Sequence, residues 1–200
     1  MSVTAPETNG AGRKLSTRPV SGESSFPPTI SAPLCLVIAG TAGEDVESAA
    51  DLLALAGLLC GLHVMQKEDS PVQHGSSSSL SEVMFSPEEI PCTGIEELDG
   101  VLVASDDGAR ELVCNSMFAR LTEDCLVLAD SNVLIPEVPC TVQRFPFRKV
   151  AGDKNAALAA VAQWLDMTGA LPLEALWAAL ESKLGASEAA KIRSAFSKLF

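Results

Sequence analysis

The sequence predicts an α/β protein with a doubly wound, mostly parallel β-sheet and a C-terminal helical extension. The main observation is a short, continuous apolar run at Leu34–Ala39, which is typical of a strand buried on both faces. A glycine turn at 40–43 follows this strand. The helix predicted at 44–60 has apolar residues on almost every face. Because a second strand is predicted at 62–66, these segments form a strand–helix–strand unit, which implies parallel strands.

The rest of the chain continues the alternation of short strands and helices. Gly100–Ala104 and Cys125–Ala129 have the composition of further buried strands. Cys140–Phe147 is predicted as extended chain at an edge of the sheet, because Pro146 cannot donate a ladder hydrogen bond. The other predicted elements are a strand at 80–85, a short helical start at 86–89 capped by Ser86, a helix at 107–121, and helices at about 155–168, 173–184 and 187–199.

Composition divides the chain into three parts. Residues 1–31 contain four prolines and three glycines but few large apolar residues, so we predict a disordered N-terminal tail. The α/β core is predicted at 32–150. Residues 151–200 are predicted as a helical extension of the same domain, with Pro172 and Gly185 separating its helices.

The balance of charges disfavours two classes of partner. Lysine and arginine total 14 and aspartate and glutamate total 26, which gives a formal net charge of −12. Such a surface repels nucleic acids and anionic membranes, so we expect neither to bind. The longest apolar run, at 52–62, is shorter than the roughly 18 residues that a membrane helix needs. With no recognisable signal peptide and several cysteines in apolar segments, the predicted location is the cytoplasm.

The metal-binding residue types do not have the spacing of a metal site. The six cysteines, at 35, 60, 92, 114, 125 and 140, include no CxxC pair, and the chain has only two histidines. Zinc and iron–sulfur sites usually take two ligands from one short loop. We therefore predict that this chain alone holds no metal ion or cluster.

The glycine turn and one histidine are the candidate sites for ligand chemistry. A turn between a strand and a helix can hold a phosphate on helix N-terminal amides, but here Glu44 and Asp45 follow the turn. Each acid would repel a diphosphate by about 1–4 kcal/mol at close range, which favours a plain tight turn. His74 lies in a serine-rich loop, but no Gly-x-Ser-x-Gly frame accompanies it, so we predict no catalytic residue.

The order of these motifs resembles a known family. The segment 36–56 resembles the opening of the gamma subunit, or gamma domain, of 2-oxoacid:ferredoxin oxidoreductases, which has a strand, a G-x-G-G-Q-G turn and a helix with paired alanines and leucines. The family's later serine-proline and R-G-G segments are similar to 70–76, and its alanine-rich helix and leucine-proline turn to 155–160 and 169–172. Here G-G-Q-G is replaced by Ala42-Gly43-Glu44-Asp45, and R-G-G by His74-Gly75-Ser76.

The resemblance implies a Rossmann-like, mainly structural or CoA-adjacent subunit of a multisubunit enzyme. That enzyme oxidatively decarboxylates a 2-oxo acid to an acyl-CoA and passes electrons to ferredoxin. Thiamine diphosphate and iron–sulfur clusters would belong to the alpha- and beta-type partner subunits, with coenzyme A in the complex. The alternative is a stand-alone nucleotide- or CoA-binding module. The cofactor-binding residues implied by the resemblance are Gly40, Thr41, Ala42, Gly43, His74 and Gly75.

Overall fold

A computed structural model describes residues 25–27, 29–69, 78–91 and 97–200. Most of the predicted tail and the segment with His74 and Gly75 therefore lie outside the described residues. Phe26 and Ile30, which fall inside the predicted tail, pack against the core, and the Phe26 N–H donates to the Leu59 carbonyl at 3.3 Å. The packed part of the chain thus includes residues that precede position 32.

The described residues form a six-stranded mixed sheet in the order β2-β3-β1-β4-β5-β6. Strands β1, β4, β5 and β6 are parallel to one another, whereas β3 is antiparallel to its two neighbours, β1 and β2. The predicted α/β class with a mostly parallel sheet is confirmed. The strands are β1 Leu34–Thr41, β2 His63–Asp69, β3 Ser78–Ser86, β4 Leu98–Val103, β5 Leu121–Asp130 and β6 Thr141–Phe145.

The two strands of the predicted strand–helix–strand unit, β1 and β2, are not neighbours in the sheet. β2 runs in the same direction as β1, but β3 lies between them and pairs with both. The burial of the two strands explains this order, because β3 buries Leu80, Val83 and Phe85 whereas β2 exposes His63 and Lys67. A strand with exposed charges suits the edge of a sheet. The predicted edge position of the chain near Pro146 is confirmed, because β6 forms the other edge.

Helices cover both faces of the sheet. α1 and α4 lie on one face, with α5 and α6 packed outside them, and α2 lies on the other face together with the crossover segment 131–140. The helices are α1 Val46–Leu59, α2 Asp106–Cys114, α3 Phe147–Ala151, α4 Ala156–Thr168, α5 Leu173–Leu184 and α6 Ala186–Phe196. Among the described residues, no helix is both long and apolar enough to cross a membrane.

The central helix of the C-terminal region lies directly on the sheet. Every residue of α4 from Ala156 to Leu165 is buried, and its Trp164 indole packs over β4 at Gly100. A Cβ atom at Gly100 would come within 2.6 Å of the Trp164 Nε1, so only glycine leaves room for the ring. The C-terminal helices therefore share one hydrophobic core with the sheet.

One predicted helix is wrong in extent, and a second predicted helical start is absent. The helix predicted at 107–121 ends at Cys114, because Ser116 takes a left-handed conformation (φ 55°) and a 3₁₀ turn, Met117–Arg120, leads into β5. The helical start predicted at Ser86–Glu89 is a bend, although the Ser86 Oγ accepts from the Glu88 N–H at 3.1 Å. Pro91 explains the difference, because it has no N–H to continue a helix and disfavours the helical conformation of the residue before it.

Candidate functional site at the carboxyl end of the sheet

The candidate site lies at the carboxyl end of the sheet, where the parallel strands finish and open α/β sheets bind their ligands. Four segments meet there: the glycine turn after β1, Ser105 after β4, Asp130 at the end of β5, and Arg148 just after β6. The first three segments follow buried runs at the ends of β1, β4 and β5, whereas β6, which precedes Arg148, is only partly buried. The positions of these segments are thus fixed by the sheet.

The glycine turn is tight and is closed by its own backbone. The Glu44 N–H donates to the Thr41 carbonyl at 3.0 Å, and Gly43 has φ +112°, a conformation that favours glycine. Asp45 precedes α1 in the left-handed region at φ 48°, and its side chain makes no capping hydrogen bond. The predicted tight turn is therefore present, with the helix beginning one residue after Asp45.

The Glu44 carboxylate occupies the space over this turn. Its side chain is 3% exposed, and its Oε2 accepts from the Thr41 N–H at 2.6 Å. Its Oε1 lies 2.9 Å from the Arg148 Nη2. A Cβ atom at Gly40 would come within 2.7 Å of the same Oε2, so glycine is needed for the carboxylate to sit there. A carboxylate of the chain thus takes the backbone donor that a phosphate would use.

The N-terminus of α2 packs against the same turn. The Thr41 hydroxyl donates to the Ser105 Oγ at 2.9 Å, and this oxygen also accepts from the Gly108 N–H and caps α2. Gly108 is needed for the close approach, because a Cβ atom there would come within 2.5 Å of the Gly40 backbone nitrogen. Asp107 lies in the first turn of α2, so a second negative charge stands beside the glycine turn.

Arg148 links the segments at this end of the sheet to one another through both its side chain and its backbone. Its N–H donates to the Asp130 Oδ2 at 2.9 Å, and Asp130 is 2% exposed. Its guanidinium reaches Glu44 and, through Nε, the Asp153 Oδ1 at 3.1 Å. The arrangement is a network of ion pairs and hydrogen bonds that holds the loops together. Within the part of the chain that the structure describes, no group of three histidine, cysteine or acidic side chains is placed to hold a metal ion.

The structure places some of the predicted site residues and not others. Gly40, Thr41, Ala42 and Gly43 lie together at the carboxyl end of the sheet, where Ala42 and Gly43 are exposed. His74 and Gly75 lie outside the described residues. The strands that flank them, β2 and β3, end and begin at this same end, because Thr41 pairs with Ser78.

Neither Arg148 nor Asp130 was predicted from the sequence to belong to this site. Each follows or ends a strand, which is the only sequence signal that could have indicated them. Arg148 contacts Glu44 and Asp130, which are distant from it in the chain, so the pattern of residues near each one does not indicate these contacts.

Solved structures of oxidoreductase chains share this fold. The gamma subunit of a keto/oxoacid ferredoxin oxidoreductase from Geobacter sulfurreducens PCA has a TM-score of 0.66 at 21% identity, over 82% of this chain and 94% of that chain. Pyruvate oxidoreductase subunit PORC from Thermotoga maritima has a TM-score of 0.67 at 19% identity, over 82% and 93%. The chain therefore shares the fold of these two subunits.

A third solved structure relates the chain to part of a larger protein. A 2-oxoglutarate:ferredoxin oxidoreductase from Magnetococcus marinus, solved with 2-oxoglutarate, coenzyme A and succinyl-CoA bound, has a TM-score of 0.71 at 18% identity. The match covers 84% of this chain but only 30% of that one. The chain thus corresponds to less than a third of that polypeptide.

A comparison with models of protein families shows which family the chain belongs to. The model described as pyruvate ferredoxin/flavodoxin oxidoreductase matches residues 35–198. The chain belongs to this family, which confirms the resemblance seen in its motifs. Among curated protein sequences, none matches the chain significantly.

Glu44→Gln tests the ion pair that closes the glycine turn. The amide keeps the size of the side chain and can still accept from Thr41, but it loses the charge that pairs with Arg148. Because the Arg148 side chain is 41% exposed, solvent screens the pair, and we expect the free energy of unfolding to fall by only about 1 kcal/mol. Urea unfolding followed by fluorescence measures this loss. Glu47→Gln, at an exposed position of α1, is the matched control and should change stability by less than about 0.5 kcal/mol.

Proposed function

We propose that this chain is the gamma-type subunit of a multisubunit 2-oxoacid:ferredoxin oxidoreductase. The complex would convert a 2-oxo acid and coenzyme A to an acyl-CoA and CO₂, and would transfer the electrons to ferredoxin. The observation that carries this proposal is the family match over residues 35–198, which spans nearly the whole described fold. The role of this chain in the complex is proposed to be mainly structural.

The geometry of the glycine turn supports a structural role. A chain that bound a nucleotide on this turn would need free backbone donors and a neutral or positive surrounding. Here Glu44 accepts from the Thr41 N–H, and Asp107 lies beside the Thr41 hydroxyl at 3.3 Å. As the family resemblance implies, we propose that alpha- and beta-type partner subunits hold thiamine diphosphate and the iron–sulfur clusters.

The carboxyl end of the sheet is proposed to lie next to coenzyme A in the assembled enzyme. Ala42 and Gly43 form the exposed rim there, with Thr41 partly buried and Gly40 buried behind them. The proposed contact includes these four residues and extends to His74 and Gly75 from the family motif. The likeness to a 2-oxoglutarate enzyme that was solved with coenzyme A bound supports this placement. Ala42 is exposed at the tip of the turn, so its side chain can be changed without disturbing the buried carboxylate.

Reconstitution tests the proposal. The purified chain, alone and co-expressed with thiamine-dependent partner subunits, is given a panel of 2-oxo acids, coenzyme A and a low-potential electron acceptor. We expect reduction of the acceptor only by the complex, and no tight binding of coenzyme A by the chain alone in calorimetry. Ala42→Glu should raise the KM for coenzyme A in the complex, because it adds a negative charge where the phosphates approach.

The controls separate the assembly from the proposed contact with coenzyme A. Ser187→Glu adds the same charge at an exposed position of α6 and should leave the KM for coenzyme A unchanged. Failure to co-purify with any thiamine-dependent partner would contradict the proposed assembly. Equal KM values for Ala42→Glu and the parent would contradict only the placement next to coenzyme A. Tight binding of coenzyme A by the lone chain would favour a stand-alone binding module.

A further inference from the structure

Two cysteines lie side by side where the last strand joins the sheet. β5 and β6 are parallel and pair Leu126 with Thr141. Cys125 and Cys140 immediately precede these two residues. They therefore occupy matching positions on adjacent segments of the sheet, one in β5 and one just before β6. Both contribute to the hydrophobic cluster on the α2 face of the sheet. The fold thus brings together two thiols that are separated in sequence by the whole crossover.

The register of the two strands places the two thiols next to each other. Burial raises the pKa of the Cys125 thiol, and the neighbouring Cys140 thiol adds to this rise. Adjacent strands are about 4.8 Å apart, and a disulfide needs Cα atoms roughly 4.4–6.8 Å apart, so neighbouring positions satisfy the distance requirement. The side chains already face the same side of the sheet. Formation of a bond between the sulfur atoms therefore needs only a small local adjustment.

The two thiols differ in their exposure to solvent. Cys125 is 1% exposed, and burial raises the pKa of its thiol to about 12. Cys140 is partly exposed at the end of the crossover, where a small oxidant can reach it. Burial raises the pKa of the Cys140 thiol as well, so the two cysteines differ in their access to solvent. The accessible sulfur is therefore the one that an oxidant attacks first, and the buried neighbour can then resolve it.

The other described cysteines lack such a neighbour. Cys35 lies in the corresponding row of β1, but the register between β1 and β4 places Asp99 beside it. Cys60 is buried at the end of α1, and Cys114 is exposed on α2. Cys114 is therefore a useful internal reference, because it reports how far an exposed cysteine without a partner thiol is oxidised.

We propose that Cys125 and Cys140 are a reversible redox modification site that closes to an intrachain disulfide. With a peroxide as oxidant, the Cys140 thiolate attacks one peroxide oxygen, the O–O bond breaks, and hydroxide leaves to give a sulfenic acid. The Cys125 sulfur then attacks the Cys140 sulfur, the S–O bond breaks, and water leaves with the thiol proton. The two thiols lose two electrons and two protons in total, and the peroxide is reduced to two molecules of water.

The disulfide would tie the end of the crossover to β5. The closed loop contains the segment 131–140, which crosses the α2 face without a helix. Closing a loop lowers the conformational entropy of the unfolded chain, so the oxidised protein should unfold at a temperature several degrees higher than the reduced protein. A thiol reductant should reverse the shift.

Peptide mapping tests the proposal on the full chain. The protein is treated with hydrogen peroxide, free thiols are blocked with an alkylating agent, and the product is digested with trypsin without reduction. No lysine or arginine lies between 121 and 143, so one peptide, 121–144, contains both cysteines. After oxidation, we expect this peptide to carry no alkyl group and to be lighter by two hydrogen atoms than the peptide with two free thiols. When a reductant is added before alkylation, the peptide should carry two alkyl groups.

Matched variants identify the two partners. Cys114→Ser should leave the disulfide unchanged, whereas Cys140→Ser should leave peptide 121–144 with one alkyl group, on Cys125. Alkylation of both Cys125 and Cys140 under conditions that fully oxidise Cys114 would overturn the proposal. A linkage of Cys140 to a cysteine other than Cys125 would overturn it as well.

Discussion

Leu53→Ala should lower the free energy of unfolding by about 2–5 kcal/mol, the usual range for removing a fully buried leucine side chain. Leu53 is 0% exposed and lies in the middle of α1, the helix that packs against both the sheet and α5. The truncation leaves a cavity that a helix held on several sides cannot close. Urea unfolding of the full chain at a fixed pH measures the loss.

Two other leucines of α1 calibrate this result. Leu58 is 45% exposed, so Leu58→Ala should cost less than about 1 kcal/mol, and Leu55, which is partly buried, should give an intermediate value. The three substitutions remove the same atoms from one helix and differ mainly in burial. Equal stability of Leu53→Ala and the parent would contradict the central position of α1.

Local sequence signals predicted much of the fold. The helix at 173–184 has the predicted bounds, because Pro172 and Gly185 limit a helix through their own backbone conformations. β1 and α1 were predicted from apolar patterns that report burial directly. Such signals depend only on neighbouring residues, so they can be interpreted without knowledge of the tertiary structure.

The position of β3 could not be predicted in this way. Its residues Ser81 and Glu82 are buried, although residues of these types usually mark an exposed face. Strand order depends on which residues of other elements compensate such groups. For Glu82 the compensating residues come from the adjacent strand and from the turn before β5, and no local pattern contains that information.

The candidate site was predictable to a similar degree. The acidic residue after the glycine turn is visible in the sequence, and the structure shows that Glu44 indeed fills the turn. Its partner Arg148 follows β6 at the far edge of the sheet and was not predicted. A contact between distant segments depends on the topology, so only the three-dimensional structure could reveal it.

Glu82 provides the second large expected effect. Its side chain is 5% exposed in β3, with one carboxylate oxygen 3.2 Å from the Arg120 Nη1 and the other 3.3 Å from the Lys67 Nζ. The two cations differ in burial, because the Arg120 side chain is 22% exposed and the Lys67 side chain is 62% exposed. The more buried pair should therefore matter more to stability, since solvent screens the exposed one.

Arg120→Met should lower the free energy of unfolding by about 3 kcal/mol, because it leaves a buried carboxylate without its better-buried partner. Lys67→Met, the matched control, should cost less than about 1 kcal/mol. Urea unfolding of both variants measures the difference. Adding Glu82→Leu to Arg120→Met should restore most of the loss, because removal of the charge abolishes its desolvation cost. A double variant no more stable than Arg120→Met would show that Arg120 stabilises the fold through packing, including its contact with the Met117 sulfur, and not through the buried charge.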